Sequence, residues 1–144
     1  MQPILHLSIP VRDVEEAREF YVHTLGCQAA RVRDGFADVW FFGMQVTLQD
    51  RPHEVAAADT ESSRHFGVTL GRDEFDATIA RLTSSGIDWL VPVSTDDEGQ
   101  ATEQTKAKIA DPSGNVIELK TYRDVDAALE ISTYSYPEAF AHGN

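Results

Sequence analysis

Apolar and polar residues alternate from the start of the chain. Leu5, Leu7, Ile9 and Val11 fall on one face of an extended segment, with Ile4, His6 and Ser8 on the other. This predicts a strand over residues 4–11, after which the period lengthens. Asp13 with Glu16 three positions later makes a capping box. Val14, Ala17, Phe20, Tyr21 and Leu25 then form an apolar helical stripe opposite Glu16, Glu19 and His23. Gly26 stands where a helix end favours glycine. Three short strands are expected next, near 27–33, 36–42 and 44–49, divided by Asp34-Gly35 and Gly43.

The pattern then repeats. His65 opens a strand whose apolar face is Phe66, Val68 and Leu70, with Gly67 and Thr69 in phase with the histidine. Asp73 is the expected cap, Phe75, Ile79 and Leu82 the helix stripe and Gly86 the stop, before strands near 87–93, 103–110 and 115–122. Twenty residues separate His6 from Gly26, and twenty-one separate His65 from Gly86. A duplicated unit constrains the whole fold. The expectation is α+β: two βαβββ modules, about 4–50 and 63–123, within a single domain spanning 1–124. Residues 49–63 link the modules, and 125–144 form a tail with a short helix over Val125–Ile131. In the last strand, Pro112 and Gly114 turn the chain so that Ile117 and Leu119 share one face. Val116, Glu118, Lys120 and Tyr122 share the other.

At 144 residues the chain is one domain with enough apolar sequence for a core. Its 24 acidic and 12 basic residues give a net charge of −12, which argues against nucleic acid or an anionic membrane surface as partner and suits a cationic ligand. No signal-peptide pattern or membrane-length apolar run is present, and the single cysteine, Cys27, excludes an intrachain disulfide. A cytoplasmic enzyme is the expectation, and any metal must rely on nitrogen and oxygen ligands.

Three polar residues then stand out. His6 and His65 open equivalent strands of the repeat, and Glu118 sits in mid-strand, each on the face opposite the helix-packing side. A lone strand histidine is commonly a hydrogen-bonded structural residue; equivalent placement in two modules sets these apart. If the strands curl into a half-barrel, two imidazoles and a carboxylate line one concavity, a facial set that holds a divalent metal and leaves positions open. Lys120 and Tyr122, two and four residues beyond Glu118, can orient an anionic substrate and shuttle a proton. Trp40 and Phe42 are candidate pocket walls.

The chain also resembles the vicinal oxygen chelate superfamily of glyoxalase, bleomycin-resistance and extradiol-dioxygenase proteins. The early motif is matched by His6, Val11, Asp13, Phe20-Tyr21 and Leu25-Gly26, the late one by Asp111, Pro112, Gly114, Asn115 and Glu118. The resemblance covers about residues 4–123 and is nearest to small predicted extradiol-type dioxygenases, through Arg64–Val68 and Asn115–Asp124. It implies metal ligation by His6, His65 and Glu118, with Fe(II) or Mn(II) favoured and Zn(II) or Ni(II) possible. It also implies a small-molecule substrate chelated through adjacent oxygens, and a homodimer in which one chain's His6 can meet the other's His65 and Glu118. Aligning Gly43 with Gly114 places Thr47 at the position of Glu118, where glyoxalase I-like members carry a fourth ligand, so the set resembles the three-ligand type. The additional histidine that extradiol enzymes usually carry as acid/base has no counterpart: His23 lies on the polar side of the first helix, His53 in the linker and His142 near the end of the tail. Alternative readings are a fosfomycin-resistance-like transferase, with Lys106, Lys108, Lys120 and Arg123 as its cations, another lyase or isomerase of the superfamily, and a metal-free bleomycin-type drug-binding protein.

Overall fold

The computed structural model describes residues 3–133. Two four-stranded mixed sheets carry the fold. The first contains β1 (His6–Val11), β2 (Gln28–Arg33), β3 (Phe36–Phe41) and β4 (Met44–Asp50), ordered β1-β4-β3-β2 with β1 parallel to β4. The second contains β5 (Phe66–Thr69), β6 (Val91–Asp96), β7 (Gln104–Ala110) and β8 (Val116–Tyr122), ordered β5-β8-β7-β6 with β5 parallel to β8. Helices α1 (Val14–Glu19) and α2 (Arg72–Ser84) make the parallel crossovers, which hairpins cannot. The repeat is thus two βαβββ units. The sheets do not close into a barrel, and β1 and β5 remain edge strands.

The apolar phase of each strand builds one core. Ile9, Val11, Val39, Phe41, Val46 and Leu48 of the first sheet join Ile109, Ile117 and Leu119 of the second, with Leu70 and the α2 residues Phe75 and Leu82, in a single buried cluster. The Phe41 and Phe66 rings meet edge-on at 5.2 Å across the modules. Polar residues of alternate phase are left on the opposite faces.

The Asp111–Asn115 turn fastens the modules together. The Asp111 carboxylate, 4% exposed, accepts from the backbone N–H groups of Ser113 and Asn115, from Asn115 Nδ2 at 2.8 Å and from Tyr21 O–H at 2.8 Å. Asn115 Nδ2 also donates to Pro10 O, and Arg12 N–H to Ser113 Oγ. Gly114, at φ +85°, lies under the linker, where an added Cβ would stand 2.0 Å from Ala56 O. The late motif is therefore a clamp built around a buried carboxylate.

Several sequence expectations shift. Leu5 precedes β1 and is 72% exposed, outside the stripe. Asp13 caps α1 by accepting from Glu16 N–H, but Glu16 pairs with Arg12 instead of closing the capping box. After Glu19 the helix widens into a π turn, Phe20–Thr24, so Tyr21 reaches Asp111. The N-cap of α2 is Gly71, and Asp73 sits in the first turn. The strand expected at 87–93 begins at Val91, and His65 lies one residue before β5. A short helix, α3, covers Val125–Leu129, followed by a 3-10 turn at Ile131–Thr133. The rest of the tail lies outside the described residues.

Candidate metal centre

The second sheet brings two of the three expected ligands together. Glu118 occupies the middle of β8, directly beside Gly67 of β5. A Cβ at Gly67 would lie 2.0 Å from Glu118 O, so glycine is what lets the strands approach there. His65, just upstream, turns its Nε2 to within 3.5 Å of Glu118 Oε2, with side chains 30% and 13% exposed. That separation exceeds a well-formed hydrogen bond, so two donor atoms face each other across a gap. They line a cleft of about 210 Å³ with Gly67, Thr69 and Lys120. Lys120 Nζ stands 3.6 Å from Glu118 Oε2 and 5.7 Å from the centre of the Tyr122 ring.

His6 is held apart, on the first sheet. Its Nδ1 is 3.1 Å from Gln45 Oε1. Gln45 Nε2 in turn donates to Asp38 Oδ2 at 3.1 Å, and the Asp38 carboxylate also accepts from Thr47 Oγ1 at 2.6 Å and from Arg31. Asp38 is 1% exposed. Its burial pushes the carboxyl pKa up, but the hydrogen bonds from Thr47, Arg31 and Gln45 outweigh that and leave it below the usual value. An ionised carboxylate only accepts, so the Gln45 amide nitrogen must face Asp38 and its oxygen must face His6. In the neutral ring Nδ1 of His6 then carries the proton, which leaves the Nε2 lone pair free to bind a metal.

Among the described residues no group of three or more His, Cys, Asp or Glu side chains converges within the chain. The donor chemistry nonetheless fits a divalent ion: the carboxylate and imidazole of the second module face each other unbonded, and the imidazole of the first is tautomerically fixed. Cys27 is buried, which raises its thiol pKa to about 12 and keeps it out of this chemistry. His53 Nε2 lies 3.5 Å from Glu54 Oε1 in the linker and His23 Nε2 lies 3.5 Å from Glu19 Oε2, also unbonded, but these side chains are 55–71% exposed and line no cleft with Glu118. Phe42 makes a left-handed turn with Gly43 and, with Trp40, lines a separate recess near Cys27.

Sequence reasoning passed over Asp38. The signal was there: a carboxylate in the middle of the apolar run Phe-Ala-Asp-Val-Trp-Phe has to be satisfied by neighbours of the same phase.

Among curated proteins no relative matches this chain. Solved structures do. A glyoxalase/bleomycin resistance protein/dioxygenase from Alicyclobacillus acidocaldarius is 33% identical, covers 88% of this chain and 96% of its own, and superposes with a TM-score of 0.80. A genomically encoded fosfomycin resistance protein from Listeria monocytogenes shares the fold at 12% identity, with 84% and 93% covered and a TM-score of 0.67. A glyoxalase/dioxygenase from Nostoc punctiforme does so at 18% identity, with 85% and 92% covered and a TM-score of 0.66. The duplicated βαβββ plan accords with the family model that matches residues 3–119, and this chain belongs to the glyoxalase/bleomycin resistance protein/dioxygenase superfamily.

Proposed function

We propose that this protein is a metal-dependent, extradiol-dioxygenase-like enzyme whose ligand set is completed by two copies of the chain, His6 from one and His65 with Glu118 from the other. The observation that carries this reading is the unbonded Nε2–Oε2 pair of His65 and Glu118 at 3.5 Å. The fixed tautomer of His6 and the unpaired edges of β1 and β5 support the shared arrangement. Superfamily members commonly bind divalent metals and form dimers.

A bound divalent ion, Fe(II) or Mn(II) before Zn(II) or Ni(II), supplies Lewis acidity toward two adjacent oxygens of a small substrate. The chain's own residues do the rest. Lys120 holds the substrate's developing anionic oxygen and Tyr122 relays the proton it loses. Lys120 lines the cleft beside His65 and Glu118, with the Tyr122 ring next to it.

Subunit mixing tests the site. His6→Ala and His65→Ala homodimers each bind metal at least about tenfold more weakly, while their hybrid regains one intact site, counted by equilibrium dialysis. No recovery in a verified hybrid would refute the shared site. Stoichiometric oxygen uptake on catechols by the Fe(II)-loaded protein tests the reaction, and its absence with every metal would refute it.

A further inference from the structure

The chain contains only three lysines, Lys106, Lys108 and Lys120, and all three lie on the face of the second sheet that carries Glu118. In register, Lys108 is opposite Glu118 and Lys106 is opposite Lys120. Like charges placed directly across strands are unfavourable, so this arrangement costs folding energy. Protection of sheet edges does not explain it, because β7 and β8 are the two inner strands of the sheet. Nor are these freely solvated side chains: Lys106 and Lys120 are only 30% and 31% exposed, and Lys108 is half-buried.

The acids on this face are few. Glu118 lies 3.6 Å from Lys120, and Asp96, at the outer edge of β6, meets Lys106 at 2.6 Å. Lys108 makes no ion pair among the described residues. A protein with a net charge of −12 thus concentrates positive charge at its candidate site. Arg123, beyond the end of β8, is not part of the row.

We infer that this lysine row is an oxyanion cradle: the substrate carries a carboxylate, phosphonate or similar group that Lys106 and Lys108 hold from β7, while its chelating oxygens lie toward Lys120, His65 and Glu118. The inference rests on the metal-site reading above for the second half of that statement only. Ammonium groups fixed on one strand make charge-assisted hydrogen bonds to such an anion, and a local positive field overcomes the repulsion of the acidic surface.

Calorimetric titration separates the two readings. Catechol and 3,4-dihydroxybenzoate, which differ by one carboxylate, are titrated into Mn(II)-loaded protein, and phosphonoacetate into metal-free protein. The dihydroxybenzoate is expected to bind about tenfold more tightly than catechol. Lys108→Gln should abolish that preference and the phosphonoacetate binding. Lys108→Arg should keep both, and Arg33→Gln, on the other module, should change neither. Equal affinities for the two catechols, together with metal binding, would overturn the cradle and leave the metal site standing. Phosphonoacetate binding that depends on Lys108 in a protein that takes up no metal would do the reverse. Phosphonoacetate binding indifferent to Lys108→Gln would also overturn the cradle.

Discussion

The two modules share a plan and differ on one face. Leu7 beside Val46 in the first sheet corresponds to Phe66 beside Ile117 in the second, so Ser8 beside Thr47 corresponds to Gly67 beside Glu118. The inward phase stays mostly apolar in both, because one core needs both. The outward phase has diverged. In the first module the position of Glu118 is Thr47, which donates to the buried Asp38, and the remaining polar groups serve to fix one imidazole. In the second, the carboxylate is itself presented, with glycine beside it and lysines around it. Duplication supplied the scaffold twice, and in the proposed shared site each copy contributes a different part of the ligand set.

The largest expected effect comes from the glycine that marks this difference. Gly67→Ala puts a Cβ where Glu118 O already stands and should cost about 3 kcal/mol as β5 is forced off β8. Ser8→Ala, its counterpart, should stay within about 0.5 kcal/mol. Urea denaturation of both variants measures the contrast, and equal losses would mean that the two strand pairs are equivalent after all.

The second effect is on the relay that serves His6. Asparagine at 38 can donate as well as accept, so Asp38→Asn removes the reason for Gln45 to keep its oxygen toward His6. The Nδ1–H tautomer of His6 should become a mixture in ¹⁵N spectra of the metal-free protein. Metal affinity should fall by about tenfold or more. Lys108→Gln, at the matching register of the second sheet, should leave the His6 signals alone. An unchanged tautomer in Asp38→Asn would show that the relay does not set it.

These cases also show what was legible in the sequence. Strand phase and the helix-ending glycines gave the duplicated fold, because burial on one face imposes a period that survives in any single sequence. The closeness of His65 and Glu118 was legible for the same reason: a polar side chain in phase with the outer face is visible. Whether His6 would lie near them was not, since the relative placement of modules depends on long-range contacts such as Tyr21–Asp111 and Asn115–Pro10. The late motif read as a route to Glu118, whereas its aspartate holds the modules together. Global charge also says little about local charge: in a chain at −12, which by composition suits a cationic ligand, every lysine stands beside the candidate site.

The two buried carboxylates give a smaller contrast, read out by pH. Burial raises the Asp111 pKa above its unfolded value despite the hydrogen bonds from Asn115, Tyr21 and Ser113. The folded state therefore binds this proton more tightly, and the contribution of Asp111 to stability grows as pH falls through its folded pKa. Asp38 runs the other way: its folded pKa is lowered, so its contribution is present above the unfolded carboxylate value and is lost as pH falls through the lower folded one. As pH falls from neutrality toward the unfolded carboxylate value, wild-type protein should thus gain in urea midpoint relative to Asp111→Asn, which has no proton to take up. An identical pH dependence for the two proteins would remove Asp111 from the account.

The smallest effect concerns the inward face, where the modules are alike. Thr121 of β8 is 2% exposed, and its Oγ1 has no hydrogen-bond partner. Every neighbour of the same phase on that strand, Ile117 and Leu119, is apolar and buried. An unpaired hydroxyl there keeps the cost of desolvation without a compensating bond. Thr121→Val preserves the branched shape and the strand preference, and should raise stability by about 1 kcal/mol. Because the side chain points away from Glu118 and Lys120, metal affinity should not move. A stabilised variant with weaker metal binding would mean that the two faces of β8 are coupled, and the separation of core from chemistry on which the comparison of modules depends would no longer hold.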